Sequence, residues 1–352
     1  MSFEMPRYKA PDFGLDIFRN APDAAMAPAE RDGIVPEGYH STSMFPEYFK
    51  INGRWLLAGE SRMDSCVVYR PEADRLDVVE ARNIKKGDLV LLGRTESGRD
   101  GIFVHANGFA GGEDALEDAF VFRQGRSRET SYSRDYDQLT ELLKYEKQHG
   151  KVVWVMGPAF AFDRDARRAM QAIVENGYVE GAYLHTALGQ DIYTQKSMPN
   201  GHYNHLDVLN LVRRSGSIPA FVEEYKLDNG IMVSCVRNNV PFVLAGSIRD
   251  DGPLPEVIGD VYQAANAMRD MVRDATTVIC LATMLHTIAT GNMTPSFRVQ
   301  KDGSIRPVYF YAVDSDEFVV NKLLDRGSLS ATTIVANVHD FITRLARGLG
   351  VM

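Results

Sequence analysis

The pattern of apolar and polar positions divides the chain into an arm and two parts with different periods. Residues 1–40 show little periodicity, so we expect an irregular arm that could wrap a neighbouring subunit. In residues 41–135 short runs alternate between apolar and polar positions, and "YFKINGRWLLAG" places an Asn-Gly pair, typical of a tight hairpin, between two runs. This period of two predicts a β-rich domain.

From residue 136 to the C-terminus, apolar runs alternate with segments of helical spacing. The runs "KVVWVMG", "YVEGAYL", "VPFVLAG", "TTVICLA" and "RPVYFYAVD" predict buried strands. We interpret "TMLHTIATGN" as a loop and "EFVVNKLLDRG" as a helix. Strands separated by helices of this length indicate a parallel sheet with crossover helices. The predicted fold class is therefore α/β, with a Rossmann-like parallel-sheet domain at 136–352 and a smaller β-rich domain at 41–135.

Composition and charge exclude several classes of protein. The chain has 352 residues, 45% of them hydrophobic and 24% charged, as expected of a globular protein with about two domains. Its net charge of -8 argues against a non-specific nucleic-acid binder. Cys66, Cys235 and Cys280 lie far apart and without metal-site spacing. There is neither a signal-peptide pattern nor an apolar run long enough for a membrane span, so we expect a cytoplasmic protein.

Loops that follow the predicted strands carry the candidate chemistry, because ligands of open parallel sheets bind at the carboxyl ends of strands. Gly157 follows the first strand and precedes a helix, where a small residue lets a pyrophosphate approach the helix N-terminus; a plain tight turn is the alternative. In "VLAGSIRDDGPLP", Gly246 and Ser247 offer donors, and Arg249 suits a phosphate or a carboxylate. Asp250 or Asp251 could hold a ribose hydroxyl or a substrate ammonium, and an Arg–Asp ion pair on a turn is equally consistent.

Further polar residues fall in the later loops and between strands. His286 and Asn292 lie in an apolar stretch, where a hydrogen-bonded core histidine is the simpler interpretation. Asp314 ends an aromatic-rich strand and could receive ribose hydroxyls or cap the next helix. His202, Asn204 and His205 suit hydrogen bonds to a polar substrate, or plain helix capping, better than a metal site, for which no third ligand is fixed. Asp64 and Asn107 lie in loops of the β-rich domain that could close over a ligand.

Several of these stretches together resemble one family. "MGPA", "GHYNHLDVLN", "VLAGSIRDDGPLP", "ATMLHTIATGNMTPS" and "NKLLDRGS" are similar to the archaeal-type NAD-dependent ornithine cyclodeaminases. The same region forms the C-terminal part of arginine dihydrolase/ornithine cyclodeaminase fusions and a domain described as related to lysine–oxoglutarate reductase/saccharopine dehydrogenase. The resemblance runs from about Tyr39 to the C-terminus.

The resemblance implies a Rossmann-like domain that holds NAD and a β-rich substrate or lid domain. It also implies conversion of ornithine, or a related amino acid, to proline with ammonia release and return of the hydride within the site. A small amino-acid substrate, no nucleic acid, no membrane, no metal and a homo-oligomer are the expected partners. The residues expected to bind the cofactor are Gly157, Pro158, Ala159, Gly246, Ser247, Asp250, Asp251, His286, Asn292, Met293 and Asp314. Those expected to bind the substrate are Asn107, His202, Asn204, His205 and Arg249, and those expected to act in catalysis are Asp64, Lys322 and Asp325.

One departure from the family pattern keeps other functions open. After Leu184 we expect a segment like G-N-A-L-A-x-H-D-x-E, but the chain continues directly with "HTALGQDIYTQ". Loss of a segment beside the cofactor could open the pocket, alter the substrate or abolish turnover. Two alternatives are therefore an NAD-binding sensor or degenerate subunit without turnover, and an NAD-dependent amino-acid dehydrogenase with another substrate.

Overall fold

The computed structural model describes residues 3–60, 62–109, 133–157, 160, 163–184, 202–246, 254–318 and 330–352. At 133, 182–184, 202–205 and 330 it describes the backbone alone. The N-terminal part of the chain is built on two antiparallel sheets, and the C-terminal part on one parallel sheet. The predicted α/β fold class with a β-rich N-terminal part is confirmed.

The N-terminal part packs a four-stranded sheet, in the order β1-β6-β4-β5, and a three-stranded sheet, β3-β2-β7, around a small core. The core residues include Phe49, Val67 and Leu91, all fully buried. Asn52 and Gly53 both have positive φ, so the predicted Asn-Gly hairpin between β2 and β3 is confirmed. The strands are β1 Ala25–Pro28, β2 Glu47–Ile51, β3 Arg54–Leu57, β4 Cys66–Arg70, β5 Arg75–Val79, β6 Leu89–Leu92 and β7 Ile102–Val104.

The ring of Phe3 packs against Tyr145 and Tyr309 of the C-terminal part, whereas residues 8–40 pack on the β-rich part of their own chain. They form a short helix, α1 (Asp16–Arg19), and strand β1, which pairs antiparallel with β6. The buried ammonium of Lys50 donates to the carbonyls of Phe18, Arg19 and Ala21 at 3.2, 2.9 and 2.7 Å, and so holds the end of α1 on β2. The domain limits at 40 and 135 remain a prediction from the sequence.

The C-terminal part contains seven parallel strands in the order β11-β10-β9-β8-β12-β15-β16. Without the short edge strand β11, this is the order 3-2-1-4-5-6 of a dinucleotide-binding Rossmann sheet. Strands β13 and β14 form a separate hairpin. The strands are β8 Val152–Met156, β9 Gly181–Leu184, β10 Phe242–Ala245, β11 Val257–Ile258, β12 Thr277–Leu281, β13 Phe297–Val299, β14 Ile305–Pro307, β15 Tyr309–Asp314 and β16 Ser330–Val335.

Helices cover both faces of this sheet and complete two apolar cores. In helix α3 (Arg164–Glu175), the buried residues Ala166, Met170 and Ile173 repeat at helical spacing. The Asp163 carboxylate caps its first turn. Trp154 lies fully buried in the larger core. The helices are α2 Ser133–His149, α3 Arg164–Glu175, α4 His202–Ser215, α5 Ile218–Glu224, α6 Ile231–Arg237, α7 Val261–Arg273, α8 Met284–Met293 and α9 Val338–Gly348.

The interpretation of residues 284–293 as a loop is wrong, because they form helix α8. Ile288, Ala289 and Met293 lie on one side of this helix and pack against the core beneath the sheet, which outweighs the turn preference of Gly291 and Asn292. Of the helix predicted over 317–327, only the first two residues are described, and both are helical.

The amino end of β12 carries a closed network of buried polar side chains. Arg306 donates to both oxygens of Glu146, from Nη1 to Oε2 at 3.2 Å and from Nη2 to Oε1 at 2.5 Å. Thr276 and Thr277 donate to the same carboxylate at 2.9 Å each. Glu146 is fully buried and Arg306 is 2% exposed, so this ion pair ties α2 and β14 to the sheet at the edge opposite the predicted site.

Candidate functional site

The carboxyl ends of the central strands lie side by side and extend the sheet by one residue each. Beyond the strands, Gly157 N–H donates to Leu281 O at 2.8 Å, and Ala282 N–H donates to Val313 O at 3.0 Å. The Ala336 N–H donates to Asp314 O at 3.0 Å. Hydrogen bonding of this kind joins the ends of β8, β12, β15 and β16 into one edge. The strand order reverses between β8 and β12, so the crevice expected for a ligand opens there.

Gly157 lies at this reversal and admits no side chain. A Cβ on Gly157 would lie 2.0 Å from the Ala282 carbonyl oxygen and 2.7 Å from its carbon. Ala282 itself has a φ of 50°, a left-handed conformation that non-glycine residues rarely adopt. The backbones after β8 and β12 therefore touch directly. A close approach of this kind, at the first strand-to-helix turn of the sheet, fits a bound dinucleotide.

The helix that follows Gly157 presents its N-terminus to the same edge. Helix α3 begins at Arg164, and the Asp163 carboxylate accepts from Ala166 N–H at 2.7 Å. The cap satisfies one of the free N–H groups, and the remaining first-turn donors with the helix dipole favour an anion such as a pyrophosphate. The sequence analysis did not identify Asp163; its position directly before a helical spacing pattern was the available signal.

Helix α8 separates three of the predicted cofactor residues. His286 lies in its first turn, next to the reversal point, with its Nδ1 3.2 Å from Thr283 Oγ1. Asn292 and Met293 lie in its last turn, about 10 Å along the helix axis from His286 at the usual rise per residue. Met293 packs into the apolar core, and the buried Asn292 Oδ1 has no hydrogen-bond partner in the described parts of the chain.

Asp314 ends β15 at the same edge. Its side chain is half-buried, and Oδ1 accepts a hydrogen bond from Asp316 N–H at 3.0 Å. Burial raises the pKa of this carboxyl, and the hydrogen bonds from the backbone of Asp316 and Ser315 only partly oppose the effect. Asp314 can therefore accept and return a proton more readily than an exposed aspartate.

Some of the remaining predicted residues are described, and others lie outside the described ranges. Gly246 follows β10, and its N–H donates to Ile258 O at 2.9 Å, which places it at the carboxyl edge. Helix α4 begins at His202, so the backbone of His202, Asn204 and His205 belongs to its first turn. The predicted residues that lie outside the described ranges are Pro158, Ala159, Ser247, Arg249, Asp250, Asp251, Lys322 and Asp325.

Asp64 and Asn107 lie on the β-rich part, and both are exposed. Asp64 occupies a turn with a φ of 62° two residues before β4. In the described part of the chain, no hydrogen bond joins either side chain to the carboxyl edge of the sheet. Their roles remain predictions.

A family model for the C-terminal Rossmann domain of ArgZ-like arginine dihydrolases matches residues 137–345. The protein belongs to the ArgZ-like family.

Family relatives align along almost the whole chain. The ornithine cyclodeaminase of Methanocaldococcus jannaschii is 35% identical over 363 residues, which cover 96% of this chain and 80% of the relative. That of Methanothermobacter thermautotrophicus is 36% identical over 343 residues, covering 91% of this chain and 77% of the relative. The match therefore includes the β-rich part as well as the ArgZ-like Rossmann domain.

Two solved structures show the same arrangement. A conserved LOR/SDH protein from Methanococcus maripaludis superposes with a TM-score of 0.79 at 31% identity, covering 94% of this chain and 98% of that one. The ternary complex of AgrE with ornithine and NAD+ superposes with a TM-score of 0.56 at 29% identity, covering 96% of this chain and 48% of AgrE.

A buried charge cluster joins the β-rich part to the ArgZ-like Rossmann domain. Arg269 of α7 forms an ion pair with Glu80, donates to Val78 O at 2.7 Å and to Glu60 at 3.2 Å. Arg62 donates to Glu80 at 2.9 Å. Although burial alone would raise the pKa of Glu80, the hydrogen bond and charge of Arg62, with the charge of Arg269, lower it to about 2.

The sequence analysis did not predict this cluster. Charged residues predict exposure unless a partner is known, and Glu80 and Arg269 lie 189 residues apart in the chain. The ionic contacts fix which face of the β-rich part lies against α7.

The described ranges contain no group of three or more side chains arranged to hold a metal ion. In the same ranges, no helix is both long enough and apolar enough to cross a membrane.

Proposed function

We propose that this protein is an NAD-dependent ornithine cyclodeaminase, which converts ornithine to proline and releases ammonia. The observation that carries the proposal is the direct contact of Gly157 with Ala282 at the reversal point of a 3-2-1-4-5-6 sheet. Two comparisons support the choice of reaction: a relative named ornithine cyclodeaminase aligns along 96% of the chain, and the family member AgrE has been solved with ornithine and NAD+.

The Rossmann edge supplies the cofactor site in this proposal. Gly157 lets the pyrophosphate approach the N-terminus of α3. Pro158 and Ala159, which lie outside the described residues, are assigned to the cofactor from the sequence. Gly246 follows β10 at the carboxyl edge, on the half of the crevice that contains β9 and β10. From their order in the sequence, we assign Ser247, Asp250 and Asp251 to cofactor binding as well, although they lie outside the described residues. His286 lies at the start of α8 beside the reversal point. When bound there, NAD accepts the hydride from the substrate α-carbon and later returns it to the cyclic imine.

The protein has three further tasks. It must hold the ornithine carboxylate, which we assign to Arg249, because a guanidinium binds a carboxylate with two parallel hydrogen bonds. It must keep water away from the imine, which the β-rich part achieves as a lid over the crevice. It must also move protons between the two amines, for which Asp64, Lys322 and Asp325 are the proposed groups; Asn107, His202, Asn204 and His205 complete the proposed substrate site.

A specific observation keeps a second function in view. The alignment with the M. jannaschii relative extends over 363 positions, more than the 352 residues of this chain, so that relative has residues without a counterpart here. The sequence departs from the family pattern after Leu184, where β9 ends at the carboxyl edge. A loss at that place favours an NAD-binding subunit or sensor without turnover, or a dehydrogenase for another amino acid.

The test begins with the small molecules released when the purified protein is denatured, measured by mass spectrometry. The proposal predicts NAD in this fraction, and ammonia and proline in equal amounts when the protein is given ornithine, without accumulation of reduced cofactor. NAD without turnover of any amino acid would establish the sensor instead. Accumulating reduced cofactor with another amino acid would establish the dehydrogenase.

The proposal also includes the cellular compartment and the oligomeric state of the enzyme. We place it in the cytoplasm as a homo-oligomer, since subunit contacts are common for such folds. Light scattering coupled to gel filtration measures the oligomeric state directly, and a mass equal to the 39.3 kDa of one chain would contradict the oligomer.

A further inference from the structure

The sheet topology divides the predicted crevice into two unequal halves. Strands β9 and β10 lie on one side of the reversal point, and β15 and β16 lie on the other. A dinucleotide spans such a crevice, and the acidic residue that binds its ribose hydroxyl follows the second strand of the fold. That strand is β9, which ends at Leu184. Asp314 ends β15, on the opposite half, and so lies away from the place where the ribose acid is expected.

We propose that Asp314 binds the α-ammonium group of the amino-acid substrate and takes its proton, instead of binding a ribose hydroxyl. The proposal rests on the proposed function, because it places the substrate on the half of the crevice that contains β12 and β15. Asp314 thereby becomes a catalytic residue rather than a cofactor ligand.

The backbone fixes the position of this carboxylate. Asp314 O accepts from Ala336 N–H at 3.0 Å, so its Cα is held by the neighbouring strand end. Its Oδ1 accepts from Asp316 N–H at 3.0 Å, which orients the carboxylate plane. The side chain is half-buried, and no lysine or arginine of the described segments forms an ion pair with it.

A half-buried carboxylate that no cation of the described segments neutralises is costly, and a substrate ammonium removes that cost. The negative charge of Asp316 also disfavours ionisation of the Asp314 carboxyl. The raised pKa of Asp314 also makes it a better proton acceptor than an exposed aspartate.

Proton movement follows a simple cycle. One proton passes from the substrate α-nitrogen to the Asp314 carboxylate, which leaves a lone pair on nitrogen and lets a hydride leave the α-carbon to NAD. The δ-ammonium loses one proton to the proposed groups Asp64, Lys322 and Asp325, and the neutral δ-amine adds to the resulting imine carbon. The ring nitrogen gives up the proton that it gained on addition, and the proton held by Asp314 returns to the α-nitrogen, which departs as ammonia. The hydride then returns from the cofactor to the cyclic imine and gives proline. The carboxylate is regenerated, and no further oxidant is required.

Other titratable groups lie at the same carboxyl edge of the sheet and enter any pH dependence. They lie at the starts of α8, α9, α3 and α2 and in the loop after β15: His286, His339, Asp340, Asp163, Asp135 and Asp316.

The test measures binding of a probe that cannot react. In 2-methylornithine the α-hydrogen is replaced, so no hydride can leave, while both ammonium groups and the carboxylate remain. Asp314→Asn keeps the acceptor for Asp316 N–H and removes the charge. Asp316→Asn is the matched control, because Asp316 is exposed and two residues away. Calorimetry with NAD present gives the affinity of each variant, and the NAD affinity is measured separately.

We expect Asp314→Asn to weaken 2-methylornithine binding about ten- to hundredfold, as loss of a hydrogen bond to a charged group does, and to leave NAD affinity unchanged. The control should change neither affinity by more than about twofold. Binding of 5-aminopentanoate, which lacks the α-amine, should be equal in wild type and Asp314→Asn. Wild-type affinity for 2-methylornithine should fall as pH falls through the pKa of Asp314, and the variant should lose this dependence.

Three results would overturn the assignment. Weaker NAD binding with unchanged 2-methylornithine binding would make Asp314 a ribose ligand. A lower unfolding temperature with both affinities unchanged would make it a structural cap. Absence of measurable 2-methylornithine binding by the wild-type protein would remove the ammonium site altogether. These readouts do not depend on turnover, so ammonia assays with ornithine test the proposed reaction separately.

Discussion

The two edges of the parallel sheet differ in how their polar groups are satisfied. At the amino edge, the Glu146 carboxylate receives four hydrogen bonds from Arg306, Thr276 and Thr277 and is fully buried. At the carboxyl edge, Ala282 has a left-handed conformation, Gly157 has no room for a Cβ, and the half-buried Asp314 lies there. The first arrangement stabilises the fold, and the second is a strained surface of the kind that binds ligands.

The largest expected effect comes from breaking the amino edge. Arg306→Met leaves the Glu146 carboxylate buried without its cation, and we expect a loss of about 3–5 kcal/mol in the free energy of unfolding. Urea denaturation measures this loss. Arg298→Met is the control, because its ion pair with Asp274 is partly exposed and should contribute little. Equal stability of the two variants would contradict the assigned role of the amino edge.

At the carboxyl edge, Gly157→Ala should abolish NAD retention and cost about 1–3 kcal/mol of stability, because the new Cβ would collide with the Ala282 carbonyl. Thermal unfolding with and without NAD separates the two effects. Gly259→Ala lies at the same edge with open space around its Cβ and should behave like wild type. Normal NAD binding by Gly157→Ala would remove this contact from the cofactor site.

The interface between the two parts predicts a pH effect. The pKa of Glu80 is lowered to about 2 by Arg62 and Arg269, so its contribution is fully present above its unfolded value of about 4.5. It is lost as the pH falls from about 5 to 2. Glu80→Gln should therefore make the stability curve flatter in this range. An unchanged acid limb of the unfolding profile would show that another carboxylate dominates.

A small gain should follow from relieving the strain at the carboxyl edge. Ala282→Gly removes the Cβ from a left-handed residue, and we expect about 0.5–1 kcal/mol of added stability, reduced by the greater freedom of glycine when unfolded. The same denaturation experiment detects it. A clear loss of stability would show that the conformation of Ala282 is relaxed.

The central strands were predictable because β8 and β12 are short, fully buried apolar runs between helical spacings. The helix α8 was missed because Gly291 and Asn292 favour a turn, and only packing of Ile288 and Met293 on the core decides otherwise. Local patterns therefore predicted the sheet, whereas the helical conformation of α8 is determined by tertiary contacts that a local pattern does not show.

The site could be predicted where strand order alone decides a residue's position, but not where contacts between distant segments decide it. The place of Gly157 after a strand predicted its position at the carboxyl edge of the sheet, since position along a parallel sheet is readable from order alone. Its role in cofactor binding stays a prediction. The left-handed Ala282 and the contact of Arg269 with Glu80 were not predictable, because both depend on segments distant in the chain. The distance between His286 and Asn292 could not be predicted either, because it depends on residues 284–293 forming the helix α8.

The most direct test of the central proposal follows a deuterium label. Ornithine carrying deuterium at its α-carbon is given to the NAD-loaded protein and to the protein freed of NAD, and the proline is analysed by mass spectrometry. We predict proline that retains deuterium at the α-carbon, formed only by the loaded protein, together with one equivalent of ammonia. Unlabelled proline, or proline formed without NAD, would contradict hydride removal and return at the carboxyl edge.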